Sequence, residues 1–348
     1  MQLSFSDGNQ GPRATLGAKS ESEVANRLNH KVGNALNESR ILILGAQVLL
    51  GFQFRSAFEP GFSELPRLSQ GLTMAGLGLL LSALALLISP AAYHRIVERG
   101  EDSKSLYRFS STVMNWALLP FAFSLAIDFY VVTERLSGPV AGILVGIAIG
   151  TLALFFWYAL ELREKNRRNP RGSVSRHMKV SSSFPAHSRT RLSDKVDHVL
   201  TEARLVLPGA QALLGFQLAI MLMEGFTKLP ASSKYIHLVS LGSVAMCTIF
   251  LIAPAAYHRI VEAGEDTELF HRFATRMVLA AMVALALGVS GDLYVVVRMV
   301  ANSVALSLCA GVMALCSFLG LWFGATLYIR QRRSKAGARE AALSNATG

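Results

Sequence analysis

Two aspartates, Asp128 and Asp292, occupy matching apolar runs, Ala126-Ile-Asp-Phe-Tyr-Val-Val132 and Ser290-Gly-Asp-Leu-Tyr-Val-Val296. A carboxylate surrounded by hydrocarbon is costly to ionise, so each must face a partner or water, or take up a proton. That property suits relay of a proton or cation. The plainer role is an interfacial acid beside the belt tyrosines Tyr130 and Tyr294. Four glutamines recur the same way, Gln47 and Gln53, then Gln211 and Gln217. Uncharged amides can hydrogen-bond between helices in a membrane, and a six-residue spacing puts the two of each pair on different faces.

A third group is His94, Arg95 and Glu98, repeated as His258, Arg259 and Glu262, just after Pro90 and Pro254. Proline cannot donate to the carbonyl four residues earlier, so a bend is expected there. On a helix continuing to Gly100, Glu98 would pair with His94 or Arg95. These residues form a candidate cytoplasmic gate, a proton antenna or an anion-binding mouth. As plain structure, Tyr93 would be an interface anchor, Arg95 would favour a helix C-terminus, and Gly100 would end the helix. Ordered by depth at ~1.5 Å per residue, His94, Gln47, Gln53 and Asp128 make a polar ladder across most of a bilayer.

The chain carries no phosphate-binding loop, dinucleotide fingerprint, serine-hydrolase elbow, zinc-protease motif or EF-hand loop. The candidate histidine and aspartate of each repeat, at opposite faces, supply no nucleophile. The expectation is therefore a protein that is not an enzyme and needs no cofactor, with no metal ligand set defined. Cys247, Cys309 and Cys316 fall inside apolar stretches without CxxC spacing and read as reduced thiols buried among helices.

What must position these residues is set by composition. Of 348 residues, 52% are hydrophobic and 16% charged, too apolar for an ordinary soluble domain. The apolar residues come in long blocks, Leu72 to Tyr93 and Ser303 to Tyr328 among them. Each is long enough to cross a hydrocarbon core of roughly 30 Å. A net charge of +11 invites a nucleic-acid reading. The basic residues instead cluster beside the apolar blocks and act as topology signals, so no nucleic-acid partner is expected.

The chain is a duplication. With Pro90 laid on Pro254, Arg27 to Arg168 aligns with Arg191 to Arg332 without a gap, and about a third of the pairs are identical. Pro90 to Glu98 returns as Pro254 to Glu262, Gly45-Ala-Gln47 as Gly209 to Gln211, and Asp128 as Asp292. Agreement is weakest in the fourth span of each copy.

Four apolar spans are expected per copy, at about 40–58, 72–93, 112–133 and 139–160, then 204–222, 236–257, 277–298 and 303–328. Only Arg55, Arg67, Arg135, Lys228, Lys234 and Arg298, of the 34 Lys and Arg, lie on one side. The positive-inside rule puts the other side, with both termini, in the cytoplasm. An even number of spans per copy makes the repeats parallel, related by a two-fold axis along the membrane normal.

The fold class is thus all-α: a polytopic helical membrane protein of two parallel-related four-helix repeats and eight spans. Residues 1–26 form a disordered arm, 27–160 the first repeat, 161–190 a basic cytoplasmic linker, 191–330 the second repeat, and 331–348 a basic tail. The polar start offers no cleavable signal, so the first span would direct insertion. Leu28, Val32 and Leu36, and Leu192, Val196 and Leu200, mark a short amphipathic stretch before each first span. It is either an interfacial helix or a cytoplasmic extension of the span. Gly142, Gly146 and Gly150 give a small-residue packing signal.

At Glu38-x-Arg40, Gly45-Ala-Gln47, Gly51-Phe-Gln53 and above all Pro90-Ala-Ala-Tyr-His-Arg95, the sequence resembles a family of uncharacterised bacterial integral membrane proteins. Members are usually single four-span units, sometimes labelled sodium:proton antiporters. This chain departs from that pattern by fusing two units, and by having Leu44 in copy 1 where copy 2 has Pro208. The resemblance implies a multi-pass protein of the bacterial inner membrane. Two functions follow as expectations, a proton-coupled cation (Na+/H+ type) secondary transporter or a non-transporting scaffold or envelope-associated protein. Beyond the lipid bilayer, the partners left open are a proton or monovalent cation and further copies of the chain.

Overall fold

The computed structural model describes residues 12–99, 101–160, 186–261, 267–329, 331–332 and 335. Side chains are described from Leu28 in the first unit and Leu192 in the second, apart from His30, Ser193 and Asp194. Among these residues helix is the sole regular secondary structure. Unit 1 has α1 (Pro12–Ser56), a short α2 (Pro60–Ser63), α3 (Arg67–Ile96), α4 (Lys104–Ser137) and α5 (Pro139–Leu154), which continues as a π-helical stretch, Phe155–Ala159. Unit 2 repeats this as α6 (Ala186–Ile220), α7 (Glu224–Thr227), α8 (Ala231–Ile260), α9 (Glu268–Ala301) and α10 (Val304–Leu319), with its own π stretch Gly320–Ala325. The long helices supply eight segments long and apolar enough to cross a membrane.

Local chemistry sets the boundaries identically in both units. Pro66 and Pro230 precede α3 and α8, where a missing N–H costs nothing. Ser103 and Thr267 cap α4 and α9, their hydroxyls accepting from the N–H of Leu106 and Phe270 at 3.0 and 3.1 Å. At the α4–α5 turn the chain needs a positive φ, met by Gly138 at 87° and in unit 2 by Asn302 at 48°. These are the residue types that reach that region at least cost. The glycines of α5 sit against α4: a Cβ on Gly142 or Gly146 would stand 2.9 or 2.8 Å from the main-chain oxygen of Tyr130 or Ala126. The small-residue stripe is thus the α4–α5 contact.

One open alternative is decided and two expectations need correction. The amphipathic stretches are continuous with the first spans, and Val32 and Val196 are buried. The stripe packs in the bundle as an extension of the span, which favours that alternative over an interfacial helix. Helix α1 already begins at Pro12, inside the segment expected as a disordered arm. Most of the linker, 161–185, lies outside the described residues, as do 1–11 and nearly all of the tail. Cys247 is buried, but Cys309 and Cys316 face outward, because α10 packs mainly on α9 and little of it is buried.

The core runs between the units, where α1 lies along α6. A two-fold axis would make each contact twice. The structure makes it once. Gly45 receives the Gln211 side chain, Phe52 covers Gly215, and the Gly61 N–H donates to the Leu222 oxygen at 3.1 Å. The equivalent residues Gly209, Gln47, Gly51 and Phe58 are exposed instead. The π stretch of unit 1 packs on α8, where the Trp157 indole donates to the Ile249 oxygen at 3.1 Å. In unit 2 the position matching Trp157 is Leu321, which is exposed. Different residues at matched positions give the copies different neighbours.

Candidate functional site

The deep aspartates meet the second glutamine of each first span. Gln53 on α1 donates from Nε2 to Asp128 Oδ2 on α4 at 2.7 Å, and Gln217 on α6 donates to Asp292 Oδ2 on α9 at 2.6 Å. The same polar bond therefore forms twice, at matched depth. Gln53 Nε2 also lies 3.4 Å from Ser124 Oγ, while Gln53 Oε1 is buried with no hydrogen-bond partner. A cavity of about 30 Å³ beside Asp128 is lined by Gln53, Ser56 and Thr73 from unit 1 and by Gly215, Met221 and Leu222 from unit 2. That volume holds a water or a bare ion and no hydrated one.

The third partner differs. Where unit 1 has Thr73, unit 2 has His237, buried on α8. Its Nε2 lies 3.0 Å from the main-chain oxygen of Gln217. That carbonyl belongs to the last turn of α6, which has no helical donor left for it. A carbonyl only accepts, so Nε2 carries a hydrogen, and Nδ1 then faces Asp292 Oδ1 at 3.5 Å. Imidazole and carboxylate therefore stand side by side between α8 and α9. In unit 1 the corresponding carbonyl, that of Gln53, accepts from Ser56 Oγ at 2.8 Å.

The remaining candidates are dispersed. Gln47 faces away from the bundle, whereas Gln211 is buried against Gly45, both amide atoms without a partner. The polar ladder is therefore interrupted below Gln53. At the far end of α3 the helix stops at Ile96 and Arg99 takes φ 52°, so no helix carries Glu98 under His94. The partner of His94 is Asp102, at 3.8 Å, and Arg95 is exposed. In unit 2 the same block is buried: His258 lies against the Phe270 ring, and Arg259 pairs with Glu38 of unit 1 and donates to Asn115 Oδ1 at 3.0 Å. Glu262 lies outside the described residues. His237, Ser124 and Asn115 were missed from the sequence. His237 had a signal, since it lies about as deep in α8 as Asp292 does in α9, on a neighbouring antiparallel helix.

Among the described residues no three His, Cys, Asp or Glu side chains gather as a metal centre would require. Long apolar helices, lipid-facing side chains such as Val140, Leu144 and Met313, and buried polar bonds between spans define a polytopic helical membrane protein made of two tandem four-helix units. A family model described as "Family of unknown function (DUF6328)" matches residues 20–161 and again 186–326, and the chain belongs to that family. The two matches coincide with the two units. No curated protein and no solved structure matches the chain.

Proposed function

We propose that the protein is a proton-coupled secondary transporter of a monovalent cation, of the Na+/H+ type, in the bacterial inner membrane with both termini in the cytoplasm. The observation that carries this reading is the repeated Gln–Asp bond, which holds a carboxylate inside the apolar part of each third span. In unit 1 the Asp128 carboxylate lines a small cavity together with Gln53, whose Oε1 is buried without a hydrogen-bond partner, and a carboxylate and an amide oxygen are of the hard type an alkali cation takes. In unit 2 His237 brings a second titratable group to the same place.

The test is proton flux in proteoliposomes. An imposed pH gradient should collapse faster when Na+ or K+ is added, relative to protein-free vesicles. No cation-dependent flux overturns the proposal. The second reading would then stand, a non-transporting scaffold. It is favoured by one observation, that each Gln–Asp bond ties a first span to a third span and works as structural glue.

A further inference from the structure

Each unit carries both halves of the contact that joins the units, but the chain uses only one half of each. Unit 1 contributes Glu38, Gly45 and Phe52; unit 2 contributes Arg259, Gln211 and Gly215, and all of these except Phe52 are buried. The matched residues Glu202, Gly209 and Phe216 of unit 2 are exposed, and so are Arg95, Gln47 and Gly51 of unit 1. All six repeat the residue types of their buried counterparts. The Gln47 amide is the sharpest sign. It faces outward from a membrane span, where lipid offers no hydrogen bond, and its twin Gln211 fills the notch at Gly45.

We propose that a second copy of this chain covers these faces. Unit 2 of one chain docks on unit 1 of the next, with Gln47 of one entering the notch at Gly209 of the other and Arg95 meeting Glu202. The contact is heterologous, two unlike surfaces head to tail, so it closes into a ring or extends as a row. It is also weaker than the contact within the chain. Trp157 and Asn115, which bond to Ile249 and Arg259, are replaced at the matched positions by Leu321 and Leu279.

The experiment uses full-length chains with Cys247, Cys309 and Cys316 replaced by alanine and two different affinity tags. One chain carries Gln47→Cys and the other Gly209→Cys, co-expressed and oxidised in native membranes. A disulfide-linked pair containing both tags is expected only in the mixture. Neither variant should cross-link when expressed alone, because like faces do not meet. Charge reversal gives an independent reading by native mass analysis of untreated protein in lipid nanodiscs. Glu202→Arg or Arg95→Glu should each lower the oligomer fraction about tenfold, and the double reversal in one chain should restore it. A monomer in nanodiscs with no mixed disulfide overturns the proposal. Disulfides formed by either single variant alone also overturn it, in favour of a symmetric dimer.

Discussion

Asp128 and Asp292 keep the same glutamine partner, but His237 stands beside Asp292 where unit 1 has Thr73 at the matched position, so their variants separate two roles. Asp128→Asn and Asp292→Asn should each abolish pH-dependent cation exchange in proteoliposomes while inserting and purifying normally. An amide keeps the shape and hydrogen bonding but cannot ionise. Normal exchange in the double variant would end the relay idea. His237→Gln retains a donor for the Gln217 carbonyl but cannot hold a second proton. It should shift the pH profile of exchange and change stability by less than about 1 kcal/mol. Both aspartates and all four glutamines were visible in the sequence. Which glutamine reaches the acid was not, because a span is apolar on its lipid side and its protein side alike, and that erases the periodicity by which a soluble helix reveals its buried face.

The helices themselves were largely legible. The eight spans were marked by their apolar blocks, and the α5 contact by its glycines. The starts of α4 and α9 were not, since the caps Ser103 and Thr267 lie well before the apolar blocks begin and hydropathy sees only the part inside lipid. The π stretch at Phe155–Ala159 was also silent in the sequence, yet it seats Trp157 fully buried against α8. Trp157→Phe should cost about 1 kcal/mol for the lost indole hydrogen bond. Trp157→Ala should cost about 3–5 kcal/mol, the cavity included. Thermal melts in detergent would rank them, and the matched variant Leu321→Ala should melt close to the parent because Leu321 is exposed.

For the whole molecule, the buried Glu38–Arg259 pair is a test of how the units are held. Arg259→Met alone leaves a charge uncompensated and should destabilise by about 3–5 kcal/mol, whereas Glu38→Met with Arg259→Met should regain most of that. Equal melting of the single and double variants would show that the pair does not join the units. Topology is tested by reporter fusions. Those after Arg168 and at the C-terminus should report cytoplasm, and those near Leu65 and Gly138 the outside. The duplication and the span count followed from the sequence alone. The one-sided docking of the units did not, because it depends on which of two identical residues finds a neighbour.

That docking explains why the fourth spans diverged most. After a gene fusion the two copies stop sharing one selective history. Trp157 and its π stretch are held by α8, while α10, with little of its surface buried, is free to drift to any residue of suitable hydropathy. Glu202, Gly209 and Gln47 have not drifted from their twins although they are exposed among the described residues. Mutational tolerance should therefore be uneven among lipid-facing positions of the same exposure. A saturation library scored for membrane accumulation would find the α10 surface permissive and the Gln47 and Gly209 surfaces restricted.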